Sequence, residues 1–183
     1  MLRSAGLMEG TMAIPARIVW AISHLGIQPS DRLLEIGCGR GIAMAEITPL
    51  LTDGHITGLD RSDSAVSSAD ERNRAAISAG KAALAQGALA DWSGGGRHFD
   101  KIFAINVNLF WLEAARELKL IRSLLAPEGK LYLFFEPPSA GQISAIAHAI
   151  EVRLKAGGYV LEKTMYGPAA TPPLLGMITR PMT

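Results

Sequence analysis

Apolar and polar positions fall in blocks along the chain, and the period changes from block to block. Residues 32–36 form a short, nearly continuous apolar run that ends at glycines, and residues 55–60 form a second, introduced by Asp53-Gly54. Residues 99–106 and 130–136 form two more, dense in Ile, Leu, Phe and Tyr. Runs of this length and content read as strands buried on both faces. Residues 82–89 read as another strand, built on alanines. Between these runs the apolar positions recur at helical spacing. Residues 15–25 place Ile18, Ile22 and Leu25 on one face, residues 42–51 follow the glycines, and Ser62 or Asp63 caps a helix reaching about Ala79. Residues 111–125 form an amphipathic helix stopped by Ala126-Pro127-Glu128-Gly129, and residues 139–156 form one ending at Gly157-Gly158. Residues 159–166 and 174–180 close the chain as two strands joined by a proline-rich segment. With no helix between them, they pair antiparallel at an edge. The alternation predicts an α/β fold: a doubly wound, mostly parallel sheet with helices on both faces.

Composition narrows the picture. A chain of 183 residues suits one domain with a sizeable core, its first 28 residues serving as a helix and lid segment. The net charge of +1 lacks the massed positive charge of a nucleic-acid binder. The apolar stretch near Ile102 contains Asn106 and Asn108 and falls short of the roughly 20 apolar residues a membrane span requires. Glu9 and Gly10 interrupt the opening segment, so it does not read as a signal peptide. Cys38 is the single cysteine, and a reducing cytoplasmic setting is the natural reading. The expected state is a monomer or homodimer.

The chemistry concentrates in Leu33-Leu34-Glu35-Ile36-Gly37-Cys38-Gly39-Arg40-Gly41. A strand runs into a turn with glycine at alternate positions, and a helix starts directly after it. Glycines let a ligand lie against main chain without meeting a β-carbon, at the strand ends where this fold class binds ligands. Such a turn also occurs for purely structural reasons. Asp60 ends the next strand, nineteen residues beyond Gly41, where a carboxylate can accept both hydroxyls of a ribose or simply cap a helix. Together the two features point to an adenosine ligand. The spacing is Gly-x-Gly-x-Gly, with Ile42 where a dinucleotide fingerprint would place glycine. Glu35 would repel a diphosphate and favour an ammonium or sulfonium, both of which S-adenosylmethionine carries.

These residues resemble the class I S-adenosylmethionine-dependent methyltransferases over nearly the whole chain. The resemblance implies a seven-stranded sheet of order 3-2-1-4-5-7-6, S-adenosylmethionine as cofactor and S-adenosylhomocysteine as product. It places Glu35, Gly37, Cys38, Gly39 and Gly41 around the methionine moiety, Asp60 on the ribose and Arg61 beside the adenine. Gln86-Gly87-Ala88-Leu89-Ala90-Asp91-Trp92 resembles the third region of the family. An acidic residue is common there at the position of Ala88, so the adenine contact passes to main chain near Ala88 and Leu89, or to Asp91. The segment from Phe99 to Asn106 resembles the motif whose last residues line the transfer site, and the junction from Leu124 to Leu131 resembles that of small-molecule methyltransferases. Residues upstream of the first strand, 8–25, match the position of a cofactor lid. No inserted domain is evident, which implies a small acceptor.

A sulfonium methyl is already activated, so transfer depends mainly on alignment, with a base useful for some acceptors. Asn106 and Asn108 could orient an acceptor or cap a loop, and Glu136 could serve as a base or ammonium binder or be an idle rim carboxylate. Phe110 and Trp111 are either pocket walls or core. His24, His55, His98 and His148 read as surface, and no metal site is expected. Two other functions compete. A non-catalytic S-adenosylmethionine-binding or partner subunit would tolerate Ala88 and the missing base. An NAD-dependent short-chain dehydrogenase would use Tyr159 and Lys163, but on a strand those side chains lie roughly 13 Å apart instead of sharing a helix face.

Overall fold

The computed structural model describes residues 13–168 and 173–182. Seven strands form one sheet in the order β3-β2-β1-β4-β5-β7-β6: β1 Arg32–Ile36, β2 His55–Asp60, β3 Ala82–Gln86, β4 Phe99–Ile105, β5 Leu125–Phe135, β6 Tyr159–Tyr166 and β7 Leu175–Pro181. The first five run parallel, and β7 is antiparallel to both β5 and β6. The expected architecture is therefore present, strand order included.

Side chains on successive strand residues point to opposite faces, and the core divides accordingly. Leu34, Ile36, Ile102, Leu131 and Leu133 pack on one side with α5 (Ala115–Leu124) and α6 (Ile143–Ala156). Leu33, Phe103, Tyr132 and Phe134 pack on the other with α1 (Ala16–Leu25) and α2 (Ile42–Ile47). A long α3 (Asp63–Ser78) follows β2, its first turn capped by Ser62, whose Oγ accepts from the Ala65 amide. Trp20 of α1 stands edge-on to Phe134, and a β-carbon at Gly176 would lie 2.9 Å from its ring, so that glycine makes room for the indole.

Several boundaries differ from the sequence expectation. The helix expected over 111–125 is two pieces, a single turn at Leu109–Leu112 (α4) and then α5, because Glu113 takes extended backbone angles. Arg153 of α6 donates through Nε to the Leu112 carbonyl at 2.8 Å and so caps that early end. β5 begins at Leu125, five residues before the expected start, and its pairing with β4 shifts register between Phe99 and Lys101. The third strand stops at Gln86, three residues early, and Leu89–Asp91 coil into a 3-10 turn. α2 gives way to a 3-10 turn at Thr48–Leu50, and α6 starts at Ile143, later than expected. Residues 8–12 of the lid segment and 169–172 of the proline-rich connection lie outside the described residues.

Candidate functional site

The site is built where β1, β2 and β4 end. Gly37, Gly39 and Gly41 all have positive φ, at 70°, 52° and 68°, a backbone that any other residue adopts at a cost. The Gly37 and Cys38 amides donate to the Leu59 carbonyl at 2.7 and 3.1 Å, which hangs the turn from the end of β2. The Gly39 amide donates to Asp60 Oδ2 at 2.8 Å, and the Ser62 amide donates to Oδ1 at 2.9 Å. A carboxylate has about four lone-pair positions, so Asp60 retains acceptor capacity beyond those two bonds.

The three glycines differ in what surrounds them. A β-carbon at Gly39 would meet no atom of the other described residues within 4 Å, so among them that position is open. One at Gly41 would lie 2.4 Å from Asn73 Nδ2 and 2.9 Å from Ala69 Cβ. Gly41 thus serves the close packing of α2 on α3, and Asn73 donates to its carbonyl at 3.1 Å. One at Gly37 would lie 2.7 Å from Val107 Cγ2, which brings the segment after β4 against the first glycine.

Glu35 sits inside β1 at 4% exposure, and its Oε2 has no hydrogen-bond partner among the described residues. Burial raises its pKa well above the ordinary glutamate range, and the Asp60 charge raises it further. The Cys38 thiol is pushed up to about 12 by burial first, then by Glu35 and Asp60. The region beside the glycine turn is therefore acidic and desolvated, with an orphaned carboxylate oxygen. An anion placed there gains nothing; a cation satisfies the orphan. The ammonium and sulfonium of S-adenosylmethionine fit this region, and a diphosphate does not.

Arg61 is exposed next to Asp60, Ala88 is exposed at the end of β3, and Leu89 is buried beneath it. Asp91 faces elsewhere, pairing with Arg116 of α5 at 3.2 Å. Beside Val107 the ends of β4 and β5, with α4 and the start of α6, line an open cavity of about 590 Å³. Its apolar wall is Trp111, Phe135, Pro137 and Ile146; its polar groups are Asn106, Asn108, Gln142 and Glu136. Asn106 adopts φ 57°, uncommon for a residue with a β-carbon. Its amide donates to the Phe134 carbonyl at 2.8 Å, and its side-chain Oδ1 accepts from the Glu136 amide at 2.6 Å. Glu136 in turn faces Arg17 of α1 at 3.6 Å.

The structure thus brings the glycine turn, Glu35 and Asp60 together, and sets Asn106 and Glu136 on an adjoining cavity. Phe110 is core, whereas Trp111 is cavity wall. His98 and His148 are exposed; His55 is half-buried, with its pKa lowered by burial and by Arg97. His24 departs from the surface expectation, packing on Trp20 with ring centroids 4.7 Å apart. Tyr159 and Lys163 lie on β6, with the Tyr159 hydroxyl donating to the Leu118 carbonyl, so the dehydrogenase pairing is absent. Among the described residues no three His, Cys, Asp or Glu side chains converge as a metal site, and no helix is long and apolar enough to cross a membrane. Val107, Arg17, Gln142 and Asn73 were not legible beforehand; only Asn73, a polar residue four positions after Ala69 on the buried side of α3, carried a trace of its role.

A family model described as a methyltransferase domain matches residues 34–131, from inside β1 into β5. The chain belongs to the methyltransferase domain family. The uncharacterized methyltransferase YdaC of Bacillus subtilis (strain 168) is 28% identical over 121 residues, 66% of this chain and 65% of that protein. The chain therefore spans just under two thirds of that relative's length. Magnesium protoporphyrin IX methyltransferase from Synechocystis PCC 6803, crystallised with bound SAM, superposes with a TM-score of 0.64 at 18% identity, over 88% of this chain and 74% of that one. The [4+2]-cyclase SpnF superposes at 0.73 and 16% identity, over 91% and 80%. Both likenesses concern the fold, which serves more than one chemistry, so the reaction of this methyltransferase domain has to be argued from its own site.

Proposed function

We propose that the protein is an enzyme that methylates a small-molecule acceptor with S-adenosylmethionine, releasing S-adenosylhomocysteine. The observation that carries this reading is the buried Glu35, its Oε2 unpartnered among the described residues, beside a glycine turn whose middle position is open among them. Glu35 and the main chain of Gly37, Cys38 and Gly39 would hold the methionine end, and Asp60 the ribose. Arg61, Ala88 and Leu89 would flank the adenine, and Gly41 contributes by fixing α2 against α3. When bound, S-adenosylmethionine would supply an activated methyl group for direct displacement by the acceptor, leaving the chain to align the two and to take up the acceptor's proton.

The chain's own share is alignment and exclusion of water. Val107 Cγ2 lies 2.7 Å from where a Gly37 β-carbon would stand, and its chain neighbours Asn106 and Asn108 line the cavity, so the turn and the cavity adjoin. Asn106 and Glu136 stand on the cavity side, Glu136 with a carboxylate able to accept the departing proton. Isothermal titration with S-adenosylmethionine, S-adenosylhomocysteine and NADH tests the ligand assignment. The first two should bind and the third should not; tighter NADH binding would overturn the reading.

A further inference from the structure

Among the described residues, Glu136 is the only ionisable side chain lining the 590 Å³ cavity. The volume lies in the small-molecule range of roughly 300–1,000 Å³, and the wall formed by Trp111, Phe135, Pro137 and Ile146 is apolar. Among the described lining residues there is no cation to balance a carboxylate or phosphate placed there. Arg17 of α1 reaches Glu136 Oε1 at 3.6 Å, beyond hydrogen-bond length. The Glu136 backbone is fixed by the Asn106 side chain, so its carboxylate is presented from an anchored strand end.

We propose that the acceptor is a small amphipathic molecule, uncharged or cationic, whose N–H or O–H docks on the Glu136 carboxylate while its apolar body lies along the Trp111 wall. Anionic acceptors are selected against. This rests on reading the cavity as the acceptor site of the proposed methyltransferase. It is separable from the cofactor assignment, because Glu136 and Trp111 can be probed with or without a bound nucleoside. Arg17 competes with a cationic acceptor for the same carboxylate, so its removal should favour such ligands.

Three compounds of one skeleton and three charge states test the idea: phenethylamine, 2-phenylethanol and phenylacetate. Each is titrated into the free and the S-adenosylhomocysteine-loaded protein while the Trp111 indole N–H resonance, assigned with Trp111→Phe, is followed. The amine and the alcohol should bind saturably and phenylacetate about tenfold or more weaker, the ratio expected for losing one charge-assisted hydrogen bond. Glu136→Gln should erase that preference, and Arg17→Gln should strengthen amine binding. Phenylacetate binding as tightly as the amine, a preference that survives Glu136→Gln, or no shift with any of the three would each overturn the proposal. Amine preference in a protein that fails to bind S-adenosylhomocysteine would instead count against the cofactor assignment alone.

Discussion

The amide of Gly39 donates to the carboxylate of Asp60 across 2.8 Å, joining two residues twenty-one positions apart. The acid that would hold a ribose also holds the turn that would hold the methionine end. Asp60→Ala should therefore weaken S-adenosylhomocysteine binding by about 1–3 kcal/mol and lower stability by about 1 kcal/mol. Calorimetric titration and urea unfolding measure the two effects separately. Unchanged affinity would remove Asp60 from the site.

Gly39 and Gly41 should respond differently to the same added methyl group. Gly39→Ala meets no atom of the other described residues, so its folding cost should be that of the left-handed backbone, about 1–2 kcal/mol. Its binding loss should be large, and Gly39→Val should abolish binding in a folded protein. Gly41→Ala collides with Asn73 and Ala69, which adds about 1–3 kcal/mol of overpacking. Equal destabilisation by the two alanine variants would contradict these surroundings.

Glu35 makes stability and binding depend on pH in opposite directions. Between about pH 4.3, where an ordinary glutamate titrates, and its raised folded pKa, the folded protein keeps a proton that the unfolded chain has lost. Stability of the free protein therefore falls as pH rises across that window. Glu35→Gln should flatten the fall, as read from urea midpoints at pH 5 and pH 8. A cationic ligand favours the ionised carboxylate, so binding should release a proton and tighten with pH. Titrations in two buffers of different ionisation enthalpy count that proton; a count of zero at pH 6 would refute the coupling.

Asn106 combines a left-handed backbone with a side-chain bond to the Glu136 amide. Asn106→Gly removes the bond and relieves the backbone, so its stability cost should stay near 1 kcal/mol. Asn106→Ala keeps the strained φ and loses the bond, for about 2 kcal/mol. Thermal melts rank the pair, and the reverse order would mean that Asn106 is not held in this conformation.

The limits of three strands were legible to the residue: β1 and β2 are largely apolar runs introduced by Asp31 and Gly54, and the mixed β6 lies between Gly158 and Gly167. The break at Glu113 was not, since Leu-Glu-Ala-Ala-Arg-Glu contains only good helix formers and the cap is Arg153, 41 positions away. β5 was misjudged at its start because Pro127 and Gly129 signal a turn, while the sheet absorbs them as an irregularity around Glu128, at φ 59°. The cofactor side of the site was legible because it lies in one contiguous turn plus one acid. Of the cavity, Asn106, Asn108, Glu136 and Trp111 were legible as candidates because they follow the ends of β4 and β5; Gln142 and Ile146, brought in at the start of α6, and Arg17, reaching Glu136 from α1, were not. Gly58, whose β-carbon would lie 2.4 Å from Met44 Sδ, shows the same limit, since its need for smallness is set by another element.

With its sole thiol so poor in thiolate, the folded protein should ignore iodoacetamide. Alkylation of Cys38 then becomes a gauge of how often the glycine bend comes apart, and an occupied site should slow it. For the experimenter, a second cysteine engineered on the outer surface would take a fluorophore alone, leaving the native residue in place.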